Sequence, residues 1–121
     1  MVTACSIMSR KVVSTRPSCK IEEVTRVLYF HGISGLPVID EAQRVVGMVT
    51  EADVLGRITG QETVEDIMSC PAFTIAEETP LEEIAALLTD KKVKRLPVVK
   101  DDKLVGIVSR ADVVRALAGK R

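Results

Sequence analysis

Much of what catalysis usually needs is missing from this sequence. It has no tryptophan, one tyrosine, two phenylalanines and a single histidine, His31. A histidine-rich metal centre is therefore excluded, and so few aromatics make a poor stacking platform for single-stranded nucleic acid. The three cysteines, Cys5, Cys19 and Cys70, are odd in number and contain no CxxC pair. That pattern argues against a disulfide framework or a zinc site and for reduced thiols in a cytoplasm. Seventeen basic residues balance seventeen acidic ones. The basic excess that a nucleic-acid partner wants is absent, although a local basic pocket for one small anion stays open. No apolar run approaches a membrane span, and Met1-Val2-Thr3-Ala4-Cys5 has neither the charged nor the apolar region of a signal peptide. A Ser/His/Asp signature, metal-ligand spacing and a P-loop are all lacking, so no catalytic residue and no metal ligand is assigned and the chain is not expected to be an enzyme.

What remains is a folded chain. A hydrophobic share of 46% supplies a core, a charged share of 28% supplies an ordinary surface, and 121 residues suit one domain.

The chain repeats itself. Ile7-Met8-Ser9 returns as Ile67-Met68-Ser69 and Leu36-Pro37-Val38 as Leu96-Pro97-Val98, both at an offset of 60. Val46-Gly47 returns as Val105-Gly106 and Ala52-Asp53-Val54 as Ala111-Asp112-Val113, at an offset of 59. The lost residue falls between Asp40 and Val45, a polar stretch suited to a turn. Aligned this way, 15 of 48 pairs are identical. Repeat one spans 7–58 and repeat two 67–117, with Gly56–Thr63 as the link.

Each repeat reads β-α-β-β-α, giving an α+β fold. Val12-Val13-Ser14 and Ala72-Phe73-Thr74 are the first strand candidates. Ile21, Val24 and Leu28, and likewise Leu81, Ile84 and Leu88, mark one face of a helix. Gly32 suits the end of the first helix. Thr79-Pro80-Leu81-Glu82 predicts a capped start for its counterpart, with Thr79 as cap, Pro80 at the first helical position and Glu82 closing a capping box. Leu36–Asp40 with Val45–Val49, and Leu96–Lys100 with Leu104–Val108, predict hairpins. Second helices begin near Glu51 and Arg110. A unit of about fifty residues is insecure alone. Packing two about a pseudo-twofold axis reaches domain size and predicts two equivalent clefts between the copies.

Two segments could carry chemistry: Gly47-Met48-Val49-Thr50-Glu51-Ala52-Asp53 and Gly106-Ile107-Val108-Ser109-Arg110-Ala111-Asp112. Each runs from glycine through two apolar residues to a hydroxyl and, three residues later, an aspartate. A strand ends and a helix starts at the hydroxyl, where free N–H groups favour phosphate. The aspartate can accept from the two hydroxyls of a ribose, and glycine permits close approach. Thr/Ser-x-x-Asp is equally an ordinary helix cap, the only role assigned to Thr63-Val64-Glu65-Asp66. Recurrence at matched places, beside glycine and after a Leu-Pro-Val strand, favours the binding role. Met8 and Met68 are expected to pack, and His31 to sit on the surface at a helix end.

These marks, in order and twice over, resemble the tandem CBS domain pair, or Bateman module. The resemblance runs from Ile7 to Val114. It implies the CBS-pair fold, a tendency to form homodimers, and regulation through adenosine-containing ligands such as AMP, ADP, ATP or S-adenosylmethionine, with no cofactor required. Carried over residue by residue, it implies a first cleft with Asp53 on ribose, Thr50 on phosphate and Met48 on adenine, facing Ala72, Phe73, Val93, Lys94, Arg95 and Pro97. In the second, Asp112, Ser109 and Ile107 take those roles, facing Val12, Val13, Ile33, Ser34, Gly35 and Pro37. Lys94 and Arg95 stand where the first repeat has Ser34 and Gly35, so the Asp53 cleft is expected to prefer the more anionic ligand. The alternative is a dimerisation or interaction scaffold without a nucleotide, built on Val54, Leu55, Ile58, Val113, Val114 and Leu117. A regulated protein partner is expected, a membrane is not, and nucleic acid is disfavoured.

Overall fold

A computed structural model describes every residue except Pro71, Lys120 and Arg121. The chain divides into two compact units whose borders are not those of the repeats. Unit 1 joins Met1–Val12 to Phe73–Arg121, and unit 2 is Val13–Ala72. The leading segment of each repeat thus packs with the body of the other.

Unit 2 contains α2 (Ile21–His31), the strands β1 (Gly35–Ile39) and β2 (Val45–Thr50), and the short helices α3 (Glu51–Leu55) and α4 (Val64–Ile67). β1 and β2 pair antiparallel from Gly35 opposite Thr50 to Ile39 opposite Val45. Thr15 joins the outer side of β1 as a parallel bridge to Val38, donating to Pro37 O at 3.0 Å and accepting from Ile39 N at 2.9 Å. Ser69 closes the other side by exchanging two backbone bonds with Met48, at 3.0 and 2.8 Å. Beneath lies a core of Val24, Leu28, Leu36, Val38, Val49 and Val64. The helical spacing delivers Ile21, Val24 and Leu28 to the buried face. Gly32 ends α2 in the left-handed region at φ 63°.

Unit 1 repeats this plan. It holds α1 (Ala4–Ile7), β3 (Ile75–Ala76), α5 (Leu81–Asp90), β4 (Arg95–Lys100), β5 (Lys103–Ser109) and α6 (Arg110–Ala118). β3 runs parallel to β4 with Ile75 opposite Val98, and β4 pairs antiparallel with β5. Ser9 bridges Ile107 through bonds of 2.9 and 3.0 Å. Ile84, Leu96, Val98 and Val108 are large, fully buried side chains of its core. The lost residue shortens the turn from the three residues 41–43, closed by Asp40 N donating to Arg44 O, to Asp101-Asp102, both at positive φ.

Three expectations are corrected. Val12-Val13-Ser14 forms no strand; pairing begins at Thr15, as a lone bridge. Its counterpart starts at Ile75 rather than over Ala72-Phe73-Thr74. In both repeats the residue that pairs is the one buried on the core, Thr15 or Ile75. Thr79 does not cap α5. Pro80 is the N-cap, the Thr79 hydroxyl accepts from Ala76 N at 3.1 Å, and Leu81 N donates to Val2 O at 3.0 Å. A main-chain carbonyl has taken the role assigned to the side chain. At α2 too a main-chain carbonyl accepts from the helix start, with Ile21 N donating to Glu62 O at 3.0 Å.

Candidate functional site

Each strand-to-helix junction is built from the backbone outward. In unit 2, β2 ends at Thr50, whose extended backbone caps α3. Asp53 N donates to Thr50 Oγ1 at 3.3 Å. In return Asp53 Oδ2 accepts from Thr50 N at 2.9 Å and from Thr50 Oγ1 at 3.1 Å. This is the capping box that the spacing allows. It leaves Oδ1 outside the box, where Ser69 Oγ lies at 3.5 Å, the outer limit of a hydrogen bond. Ser34 and Gly35 sit at the same junction. Glu51 N donates to Ser34 O at 2.8 Å, and Gly35 pairs with Thr50. A Cβ on Gly35 would stand 3.1 Å from Val49 O and 3.2 Å from Thr50 Cγ2, a tight fit that the neighbours meet only by giving a few tenths of an ångström.

In unit 1, Ser109 caps α6 and Asp112 repeats the box, accepting from Ser109 N at 2.8 Å and from Ser109 Oγ at 3.0 Å. Its Oδ1 accepts from Arg115 Nη1 at 3.0 Å. Arg110 N donates to Lys94 O at 3.0 Å and Arg110 Nε to Val93 O at 3.2 Å, so Val93 and Lys94 belong to this junction. Arg95 is half-buried opposite Ser109, and the Lys94 side chain is exposed. Lys91 Nζ lies 4.9 Å above the ring of Phe73, so this lysine covers an aromatic face.

Both glycines of the motif have a second explanation. A Cβ on Gly47 would meet Met68 Sδ and Ser69 O, each at 2.9 Å. A Cβ on Gly106 would collide with Met8 Sδ. What approaches each glycine is the Ile-Met-Ser segment, and Met8 and Met68 pack against the cores as expected.

The expected site residues distribute as follows. Val13, Ile33, Ser34, Gly35, Pro37, Met48, Thr50, Asp53 and Ala72 lie in unit 2, and the remainder in unit 1. Within a unit, Ser34 and Gly35 adjoin Thr50 and Asp53, while Val93 and Lys94 adjoin Ser109 and Asp112. Pro37 and Pro97 are fully buried. Ser69 and Arg115 touch the aspartates and were missed. A signal existed for each. Ser69 ends a recurring tripeptide, and Arg115 follows Asp112 by three helical residues, which puts the two on one face. Among the described residues no cluster of histidine, cysteine or carboxylate side chains could hold a metal. Among the described residues no helix is long and apolar enough to cross a membrane.

The CBS domain family matches twice, over residues 4–60 and 64–119. The chain belongs to the CBS domain family. Among solved structures, CBSX2 of Arabidopsis thaliana in complex with AMP is similar, with a TM-score of 0.92, 32% identity and 98% of each chain covered. The CBS domain pair of protein MJ0100, in complex with 5′-methylthioadenosine and S-adenosyl-L-methionine, gives 0.90 at 28% identity, covering 100% of this chain and 99% of that one. Inosine-5′-monophosphate dehydrogenase of Korarchaeum cryptofilum is 37% identical over 109 residues, 89% of this chain but 23% of that protein. The chain spans 23% to 62% of the length of the first curated relatives it matches. Likeness to the dehydrogenase is therefore confined to its CBS portion.

Proposed function

We propose that this CBS chain is a regulatory module that binds adenosine-containing ligands, AMP, ADP, ATP or S-adenosylmethionine, through Asp53 with Thr50 and Asp112 with Ser109. One observation carries the reading. Each aspartate spends Oδ2 on its own helix cap and keeps Oδ1 outside the box, where Asp53 meets the Ser69 hydroxyl at 3.5 Å and Asp112 the Arg115 guanidinium at 3.0 Å. An oxygen so placed can accept from a ribose hydroxyl without dismantling the helix start. The capped junction is thereby a rigid support for the ligand contact rather than a rival to it. The neighbours bound to AMP and to S-adenosylmethionine support the ligand class. Cys5, Cys19 and Cys70 are free thiols, which fits a cytoplasmic setting.

Calorimetric titration with AMP, ADP, ATP, S-adenosylmethionine and NAD tests this. A ligand at a hundred times its Kd adds about 2.7 kcal/mol of stability, a thermal shift of several degrees. Asp53→Ala should weaken binding in unit 2 by about ten- to a hundredfold, since a hydrogen bond to a charged group contributes about 1.5–3 kcal/mol. Asp53→Asn, which keeps the side-chain shape, controls for the lost cap. Unchanged binding in the Asp53→Ala/Asp112→Ala double variant overturns the site.

A second reading has its own observation. Val54 and Val113 turn inward, but Leu55, Ile58, Val114 and Leu117 are 54–85% exposed. Such exposure, at Leu55, Val114 and Leu117 on the second helices and at Ile58 beyond the end of α3 rather than on it, supports homodimer formation and docking of a regulated protein, and it would serve a scaffold without ligand equally well. A protein that binds nothing in the panel, yet sediments as a dimer that Leu55→Glu dissociates, would favour the scaffold.

A further inference from the structure

Asp53 and Asp112 are matched in sequence and in their capping boxes, but not in what holds the outer oxygen. In both, Oδ2 already accepts from the N–H and the hydroxyl of the cap residue. Those two donors occupy its two lone pairs. A diol must therefore use Oδ1. At Asp53, among the described residues, that oxygen meets only the long contact from the Ser69 hydroxyl, a neutral and rotatable group. At Asp112 it meets the Arg115 guanidinium at 3.0 Å, a charge-assisted bond. The cause lies in one aligned position. Counting 59 residues back from Arg115 gives Gly56, which has no side chain to offer.

We propose that Arg115 is a resident competitor for the ligand at Asp112, and that Gly56 leaves Asp53 open, so that the two units bind adenosine with unequal affinity and unit 2 fills first. This rests on the reading of both aspartates as diol acceptors. Its size is bounded. Arg115 is 69% exposed and Asp112 15% exposed, so water screens the pair. Exposed ion pairs contribute up to about 1 kcal/mol, which limits the handicap to about fivefold. Raising the ionic strength should shrink it.

The test isolates each unit and then exchanges the two residues. In an Asp53→Ala background, which leaves Asp112, Arg115→Ala should raise adenosine affinity by about two- to fivefold. Arg115→Lys should give a smaller rise, because an ammonium keeps the charge without the planar fork. In an Asp112→Ala background, Gly56→Arg should lower adenosine affinity at Asp53 by a similar factor, and the loss should fade in high salt. Adenosine is the probe because it carries the diol without a phosphate; AMP is titrated alongside. If Arg115→Ala leaves adenosine unchanged, the competitor role is overturned. If it weakens AMP and spares adenosine, Arg115 is a phosphate-gripping residue and the proposal is equally overturned. If the double aspartate variant binds adenosine as tightly as the unaltered chain, the diol reading itself fails. That outcome is visible before either arginine variant is made.

Discussion

Unit 2 and unit 1 reach one register with different side chains. Thr15 and Ile75 lie opposite Val38 and Val98, and Ser69 and Ser9 opposite Met48 and Ile107. The helix starts at Ile21 and Leu81 each bond to a carbonyl sixty positions apart, Glu62 and Val2. Beneath that agreement, aligned positions diverge. The left-handed residue after the long helix is Gly32 in one unit and Lys92 in the other, at φ 63° and 55°. The box of the leading helix closes with Asp66 in unit 2 and with Ser6 in unit 1. The comparison teaches that backbone pairing sets the architecture. Side chains at a junction are free to differ so long as each supplies a donor or acceptor at the right place.

The largest expected effect tests the glycines that make room for methionine. Gly47→Ala and Gly106→Ala should each cost about 1–3 kcal/mol in denaturant unfolding, as overpacking does. Gly47→Ala should cost more. Its Cβ would meet the Ser69 carbonyl at 2.9 Å, a backbone atom, whereas at Gly106 the closest obstacle is the flexible end of Met8. Adding Met8→Ala should therefore recover much of the Gly106→Ala loss, and Met68→Ala little of the Gly47→Ala loss. Equal recovery in both would break the distinction.

A smaller effect is expected after the long helices. Lys92 holds a conformation that costs an L-residue about 1–2 kcal/mol. Lys92→Gly should stabilise unit 1 by about 0.5–1 kcal/mol once the flexibility that glycine adds to the unfolded chain is deducted. Gly32→Ala should lose a similar amount in unit 2, and with nothing within 4 Å of the new Cβ the loss measures backbone strain alone.

The smallest effect is local and depends on pH. The N–H groups of Glu62 and Thr63 hold the Asp66 carboxyl below its ordinary value. A group lowered on folding contributes stability that is whole above its unfolded pKa, about 3.9, and is lost as pH falls through the lower folded value. Acidification below that point should strip exchange protection from the Thr63 amide. The Thr3 amide, bonded to the Ser6 hydroxyl, should keep its bond to a group that does not titrate. Local amides are the proper readout, because Asp40, lowered chiefly by the Arg44 backbone N–H, titrates in the same range and would blur a global midpoint.

Helical faces, hairpins and junctions were legible in the sequence because each is local. Period-3.6 spacing at Ile21, Val24 and Leu28, a Leu-Pro-Val strand before a polar turn, and a hydroxyl three residues ahead of an aspartate all act within a few residues of chain. The first strands and the start of α5 were not legible. Whether Val13 or Thr15 pairs depends on which faces the core, and whether Thr79 caps α5 depends on a carbonyl from Val2 at the far end of the chain. Arg115 was not legible either, because the repeat marks only the residues its two copies share, and Arg115 is aligned with Gly56.

By itself the sequence determined that there are two copies of one β-α-β-β-α pattern, what each is made of, and where hydroxyl and carboxylate meet, since hydrophobic period and capping chemistry are short-range. Only the tertiary structure decided how chain is shared between the units. The borders fall after Val12 and Ala72, and each Ile-Met-Ser segment lies against the hairpin of the other repeat. The reason is the unpaired edge of β2 and of β5. Backbone groups at Met48 and Ile107 need partners, and the segments able to reach them, with a methionine to fill the space above a glycine, come from elsewhere in the chain.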